Sequence, residues 1–298
     1  MRYQAIEELI GKTPMLALHH LTSKASVQVY AKLEGQNPGG SVKDRLALAL
    51  IEDAERKGEL TRDKTILEST SGNTGIGLAM IAAVRGYRVV LTMSAGMSEE
   101  RKQILRAFGA ELVETDPKRG TGGAREKAHQ LHAEHPDRYW MPQQHSNPAN
   151  PRMHYETTAE EILQDVPDIT HFIAGIGTFG TLAGVGKRLK DYNTGIKIIG
   201  VEPELGQPIQ GLRNMQEEYP PELFAEHRQI LDRTITVRLA DSKEIAKQLA
   251  RSEGLFVGIS SAAAAWAAQQ VAQELTTGTM VVLFPDRGEK YVSTGLYN

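Results

Sequence analysis

His171-Phe172-Ile173-Ala174-Gly175-Ile176-Gly177-Thr178-Phe179-Gly180-Thr181 joins a short apolar run to a glycine-rich turn, and Leu182 to Leu189 continues it with a helical pattern. Strand, tight turn and helix in that order make a βα unit, and the same rhythm recurs along the chain. Val27–Leu33 reads as a strand and Lys43–Leu60 as a helix. Ile66–Glu68 is a short strand, Ser71-Gly72-Asn73 a turn, Thr74–Arg85 a helix and Val89–Met93 a strand. Ser98 is an expected N-cap with Glu99 and Glu100 in the first turn, and Gly109 stops that helix. Strands at Glu111–Val113 and Tyr139–Met141 flank a helix near Ala124–Glu134. Helices at Thr157–Asp165, Leu182–Leu189, Ser242–Glu253 and Ser261–Leu275 and strands at Lys197–Val201 and Met280–Phe284 follow, with an irregular stretch over Pro203–Leu231. Alternation of this kind predicts α/β architecture with mainly parallel sheets. Asn147-Pro148-Ala149-Asn150-Pro151 reads as a turn and marks a domain boundary.

Composition narrows the function classes. The 298 residues carry a net charge of −3 and no cysteine. Interspersed acids and bases argue against a nucleic-acid footprint. Without cysteine there is no disulfide scaffold, thiolate zinc site, iron–sulfur cluster or thiol nucleophile. The nine histidines show no metal-ligand spacing, so no metal site is expected. No apolar run has membrane-spanning length, and the first residues lack a signal-peptide core, so a cytoplasmic location is the expectation.

Ligands of open α/β sheets bind beyond the carboxyl ends of the strands, which directs attention to three turns. Gly175–Thr181 lets backbone N–H groups converge at a helix N-terminus, a natural place for phosphate; a turn that needs glycine for packing alone is the other reading. Ser69-Thr70-Ser71-Gly72-Asn73-Thr74 offers hydroxyls, an amide and N–H groups to a carboxylate, or else caps a helix. Asn37-Pro38-Gly39-Gly40-Ser41-Val42-Lys43-Asp44-Arg45 places a lysine at the mouth of an apolar helix, where the dipole disfavours a cation. Imine formation removes that charge; a lysine snorkelling to the surface is the alternative. A phosphate cradle, a carboxylate cradle and an imine-forming lysine together are what a pyridoxal phosphate (PLP) enzyme of amino-acid metabolism requires.

Asn37–Arg45, Thr70–Gly75, Gln143–Asn150 and Gly258-Ile259-Ser260-Ser261 resemble the motifs of the cysteine synthases. The resemblance runs in family order from Ile10-Gly11-Lys12-Thr13-Pro14 to Tyr291-Val292-Ser293-Thr294-Gly295. It implies the tryptophan-synthase-β-like, two-domain fold type II of PLP enzymes, each domain a mainly parallel twisted sheet flanked by helices. The implied domains are residues 1–147, with a mobile subdomain near 89–134 and the first strands crossing to the other sheet, and residues 148–298. By position, Lys43 is similar to the lysine that binds the cofactor as an internal aldimine and shuttles the α-proton. Asn73 corresponds to the partner of the ring hydroxyl, and Gly177, Thr178, Phe179, Gly180 and Thr181 to the phosphate loop. Ser260 corresponds to the partner of the pyridine nitrogen, and Thr70, Ser71, Gly72, Thr74 and Gln144 to the substrate carboxylate site. A serine at the pyridine nitrogen makes the ring a weaker electron sink than an aspartate would. That favours β-elimination and β-replacement over transamination: an activated serine is converted to aminoacrylate and then takes up sulfur.

Pro285-Asp286-Arg287-Gly288 and Ile209-Gln210-Gly211-Leu212-Arg213-Asn214-Met215 look like the type B branch. The resemblance then implies L-cysteine from O-acetylserine and sulfide, S-sulfocysteine from thiosulfate, and a homodimer with small-molecule substrates. Arg213 is the expected contact for an anionic substrate group, with a plain surface arginine as the alternative. An O-phosphoserine sulfhydrylase or cystathionine β-synthase-like enzyme is the neighbouring reading. A non-catalytic scaffold for a serine acetyltransferase tail is the distant one. Two positions depart from the family: Phe179 stands where Gly or Thr is usual, and Ala262 where Gly is usual.

Overall fold

A computed structural model describes residues 2–70, 72–217 and 220–297. The strands are β1 (Met15–Ala17), β2 (Val27–Leu33), β3 (Thr65–Ser69), β4 (Arg88–Ser94), β5 (Glu111–Thr115), β6 (Tyr139–Trp140), β7 (His171–Gly175), β8 (Lys197–Pro203), β9 (Arg233–Val237) and β10 (Gly278–Phe284). The helices are α1 (Lys43–Lys57), α2 (Asn73–Arg85), α3 (Glu99–Ala107), α4 (Gly120–Glu134), α5 (Ala149–Met153), α6 (Ala159–Asp165), α7 (Gly180–Tyr192), α8 (Glu222–His227), α9 (Leu239–Ser252) and α10 (Ile259–Glu274). The architecture is α/β, and the chain divides into two compact units. Residues 1–10 and 37–149 form the first, and residues 11–36 and 150–298 the second.

The first unit holds a four-stranded sheet in the order β5-β4-β3-β6, parallel throughout. Its inner strands are apolar on both faces, as buried parallel strands must be: Val89 to Met93 are all buried. α1 begins at Lys43 and ends at Gly58, which takes the left-handed conformation (φ +73°) that lacks a Cβ penalty. α2 packs on α1 so closely that a Cβ on Gly77 would meet the Lys43 carbonyl oxygen at 3.0 Å.

The second unit holds a six-stranded sheet, β1-β2-β10-β7-β8-β9, antiparallel only at β1–β2. β10 lies between β2 and β7, and Met280 to Phe284 are buried without a break. α10 contributes Ala262 to Ala265, Ala267 and Ala268 to the core, all fully buried. Methyl side chains keep that helix close to the sheet, and the Cβ of Ala262 is accommodated in its first turn. Lys32 of β2 is also fully buried; its ammonium donates to the Thr13 carbonyl (2.6 Å) and pairs with Glu161 (2.8 Å). Removing one partner of such a pair leaves an uncompensated charge.

Several elements differ from the sequence reading. Asn147–Pro151 is not only a turn: Ala149 starts α5, with Pro151 in the first turn, where its missing N–H costs nothing. α5 continues through a π-helical turn, His154–Thr158, into α6, although those residues read as one helix from Thr157. Ser98 is at the N-cap of α3, but its hydroxyl makes no cap bond and lies buried without a hydrogen-bond partner. The stretch Pro203–Leu231 contains α8. β1 and β9 have no expected counterpart: β1 is only three residues long, and β9 exposes most of its residues. Trp266 is half-buried and packs against the core of this unit. Among the described residues no helix is long and apolar enough to cross a membrane.

Candidate active site

In the first unit, the chain ahead of α1 is held by its own polar groups. Gly40 is left-handed (φ +80°) and donates to the Asn37 carbonyl at 2.8 Å. Gly39 N–H donates to Asp44 Oδ2 at 2.6 Å, and Lys43 N–H to Ser41 Oγ at 3.1 Å. A Cβ on Gly39 would meet the Asp44 carboxylate, which explains why the turn needs glycine there. Lys43 is therefore fixed at the first helical position. Desolvation lowers its ammonium from the ordinary lysine value to about 8. At pH 7 roughly one such lysine in ten is then neutral, against about one in 3,000 for an unperturbed one. A half-buried lysine with that neutral fraction is chemically a nucleophile and a proton carrier.

The turn from β3 into α2 places a glycine, not a hydroxyl residue, at the helix N-cap. Gly72 occupies the N-cap, with no side-chain cap bond. Thr70 Oγ1 accepts weakly from the Gly72 N–H (3.3 Å), and Thr74 Oγ1 donates to Gln144 Oε1 at 2.7 Å. Ser71 lies outside the described residues. Asn73, half-buried, is the first residue of α2. The first-turn N–H groups have no intrahelical acceptors, and the helix dipole adds positive potential there. Nothing lies within 4 Å of the place a Cβ on Gly72 would take, so the turn leaves room beside those donors. Gln144 is delivered by a strained turn. Gln143 is left-handed (φ +52°), and its carbonyl accepts from Ser146 and Asn147 N–H at 3.1 and 3.0 Å. Lys43, Thr70, Gly72, Asn73, Thr74 and Gln144 thus belong to one unit, with Thr74 and Gln144 in direct contact.

Beneath them lies Glu68, which the sequence reading missed. It is buried; Oε1 accepts from Ser69 N–H at 2.9 Å, and Oε2 has no hydrogen-bond partner. Burial pushes its carboxyl up to about 7, against the opposing pull of the Ser69, Gln144 and Gln143 N–H groups that face it. A glutamate inside an apolar strand was the available signal.

In the second unit, Gly177, Thr178, Phe179, Gly180 and Thr181 run from β7 into α7. Phe179 is left-handed (φ +71°) at the N-cap of α7. Its ring is buried and meets Phe224 of α8 edge-on. Gly180 packs against Asn150, whose amide would collide with any added Cβ, and Asn150 Nδ2 donates to Thr178 Oγ1 at 3.1 Å. Buried His154 joins Thr181 Oγ1 (3.1 Å) to Thr158 Oγ1 (2.9 Å). Asn150 and His154 thus brace the two threonines; reading Asn147–Pro151 only as a turn concealed that role. On the other side, Arg213 N–H donates to the Ile176 carbonyl at 2.8 Å, and a Cβ on Gly177 would meet the Gly211 oxygen at 2.8 Å. Gly211 in turn lies beside Ser260, whose Oγ would be 3.5 Å from a Cβ there. The structure therefore gathers the loop, Arg213 and Ser260 into one group within this unit. Ser260 is buried in the first turn of α10. Asp286 supports that turn: its carbonyl accepts from Gly258 N–H and Ser261 Oγ, both at 3.1 Å, and its carboxylate from Tyr291 Oη at 2.7 Å.

These residues suit pyridoxal phosphate. The first-turn N–H groups of Gly180, Thr181 and Leu182 lack intrahelical acceptors, at the positive end of a 13-residue helix, as a phosphate requires. Lys43 has the lowered amine an aldehyde requires, and Ser260 offers a hydroxyl from a buried position.

Comparison with known proteins agrees. The pattern of the family described as "Pyridoxal-phosphate dependent enzyme" matches residues 6–286. The chain is 44% identical over 304 residues to the cysteine synthase of Aquifex aeolicus, covering 99% of this chain and 92% of that one. It is 40% identical over 299 residues to cysteine synthase B of Pseudomonas aeruginosa, covering 100% and 99%. The crystal structure of the Entamoeba histolytica cysteine synthase superposes with a TM-score of 0.94 at 36% identity, covering 100% of this chain and 91% of that one. The fold is that of a PLP-dependent enzyme of fold type II. Within that class the chain belongs to the cysteine synthase family.

Proposed function

We propose that this cysteine synthase is of the type B kind, forming L-cysteine from O-acetyl-L-serine and sulfide and S-sulfocysteine from thiosulfate. PLP, when bound, supplies the electron sink that labilises the α-proton and the β-leaving group of serine derivatives. In this reading Lys43 holds the cofactor and moves the α-proton. Thr70, Ser71, Gly72, Thr74 and Gln144 orient the substrate carboxylate, Asn73 faces the cofactor's ring hydroxyl, and Ser260 its pyridine nitrogen. The backbone of Gly177 to Thr181 receives its phosphate. A hydroxyl at the pyridine nitrogen limits the sink, which suits β-replacement. The protein is read as a cytoplasmic homodimer.

One observation supports the preference for anionic substrates. Arg213 is tied by its backbone to the Ile176 carbonyl, next to Gly177. A guanidinium carried on that backbone attracts sulfonate or phosphate groups. The same observation favours the second reading, an O-phosphoserine sulfhydrylase. Steady-state kinetics with acetylserine, phosphoserine and serine, each with sulfide and with thiosulfate, test both. Arg213→Ala is expected to lower kcat/KM for the anionic partner about tenfold and to spare the acetylserine–sulfide pair. Equal losses on every pair, or no loss, remove the role of Arg213.

A further inference from the structure

Phe179 is the one member of the phosphate loop whose side chain has no place in the expected chemistry, and its conformation is the least natural in the loop. A φ of +71° is disfavoured for any residue with a Cβ, and an aromatic ring gains nothing locally from it. The conformation is nevertheless what starts α7: the Phe179 carbonyl accepts the first helical bond, from Ala183 N–H at 2.9 Å. It also sets the direction of the next N–H groups, those of Gly180 and Thr181. Glycine would reach the same φ freely, so something else must hold a phenylalanine there.

Phe224 does so. The two ring centroids are 5.1 Å apart at an interplanar angle of 85°, the edge-to-face arrangement favoured by the ring quadrupoles. Phe179 is 2% exposed, so its ring is held in this packing rather than in water. α8 is itself anchored, with Leu223 fully buried and Phe224 N–H bonded to the Pro221 carbonyl at 3.0 Å.

We propose that the Phe179–Phe224 pair is a latch, in which α8 holds the phosphate loop in its cofactor-binding conformation before the cofactor arrives. Both are positioning residues and touch no reacting atom. The proposal rests on the reading of Gly177–Thr181 as the phosphate loop. Linkage makes the effect reciprocal: a cofactor that requires the latched loop must also steady α8.

The test compares Phe224→Ala, Phe179→Gly and the double variant. The readouts are PLP affinity, from cofactor titration of resolved enzyme, and hydrogen exchange of residues 222–227 with and without PLP. Phe224→Ala is expected to weaken PLP binding about tenfold, the scale of one lost aromatic contact with its burial. With glycine at position 179 the conformation needs no latch, so adding Phe224→Ala changes affinity by less than about twofold. PLP slows exchange in α8 of the wild type and not in Phe179→Gly. The same loss from Phe224→Ala in both backgrounds, or no loss in either, overturns the latch. If Phe224→Ala fails to fold, Phe224→Leu keeps the volume and is expected to show the same dependence on residue 179 at about threefold. Pyridoxal, which lacks the phosphate, separates the two levels: if resolved enzyme binds it as tightly as PLP, the phosphate-loop reading itself fails. If it binds more weakly than PLP and the Phe224 variants leave PLP affinity unchanged, only the latch fails.

Discussion

Thr74 Oγ1 donates to Gln144 Oε1 at 2.7 Å, joining the first turn of α2 to a turn seventy residues later in the chain. The bond uses one acceptor site on Gln144 Oε1 and does not involve its NH2 group. Thr74 retains acceptor lone pairs as well. Thr74→Val keeps the shape and removes the bond, so kcat/KM for acetylserine should fall roughly 10- to 100-fold with the bound cofactor's visible absorption intact. Thr74→Ser should recover most of the loss. A combined Thr74→Val and Gln144→Ala variant should lose less than the product of the single losses, because both remove the same interaction.

Lys43→Ala should abolish the visible band of PLP-loaded protein. In the wild type, the neutral amine fraction rises about tenfold per pH unit below 8 and levels off above it. The rate at which resolved enzyme takes up PLP should follow the same curve. Stopped-flow absorbance between pH 6 and 9 checks it; a flat profile would place the amine outside the rate-limiting step.

Glu68 should make the carboxylate cradle sensitive to pH. Arg125 of α4 bears on it electrostatically, β4 places Leu91 opposite it, and Tyr139 is the ionisable side chain of β6. Its folded value, about 7, lies above the ordinary glutamate value. The folded protein therefore binds more protons between about pH 4.5 and 7, and stability falls as pH rises through that window. Glu68→Gln should remove this slope and raise stability at pH 8 by about 1–3 kcal/mol. It should also flatten the rise in KM for acetylserine expected on acidification through pH 7. Thermal melts and initial rates on the same samples measure both.

Gly72 and Gly184 should respond oppositely to alanine. Open space surrounds the Gly72 Cβ position, with φ −110°. Gly72→Ala should hold its melting temperature and lose catalytic efficiency, because the methyl enters the space beside the donors. At Gly184 the Cβ would overlap the Pro151 carbonyl oxygen, which is backbone and cannot swing away. Gly184→Ala should cost more than about 3 kcal/mol and reduce folded yield.

Residues 89–134 carry β4, α3, β5 and α4, and the family resemblance implies that this segment closes over substrate. Hydrogen exchange there should slow when acetylserine is added to holoenzyme. Unchanged exchange would mean that closure does not occur.

Much of this was readable along the chain. The alternation of β-branched runs, small-residue turns and helical stretches is a local property, and it predicted parallel α/β sheets. Residue types needed at a turn are local too, which is why Gly39-Gly40 before Lys43 and Gly177 to Thr181 before α7 stood out. The edge strands β5 and β6 were readable, whereas β1 is only three residues long and β9 exposes most of its residues, which leaves little apolar pattern in either. α5 escaped because a proline-rich motif suits both a turn and the first turn of a helix.

The sequence by itself determined the class of chemistry: a lysine, a hydroxyl-rich turn and a glycine-rich turn, each beside a helix start, with no cysteine to offer another nucleophile. Only the tertiary structure decided which groups serve those turns from behind. Glu68 under Gln144, His154 against Thr181 and Phe224 against Phe179 are pairings across long stretches of chain. Burial, which gives Lys43 and Glu68 their shifted protonation, is a sum over everything packed around a side chain. No window of sequence contains that sum, so the chemistry was legible in the chain and its tuning was not.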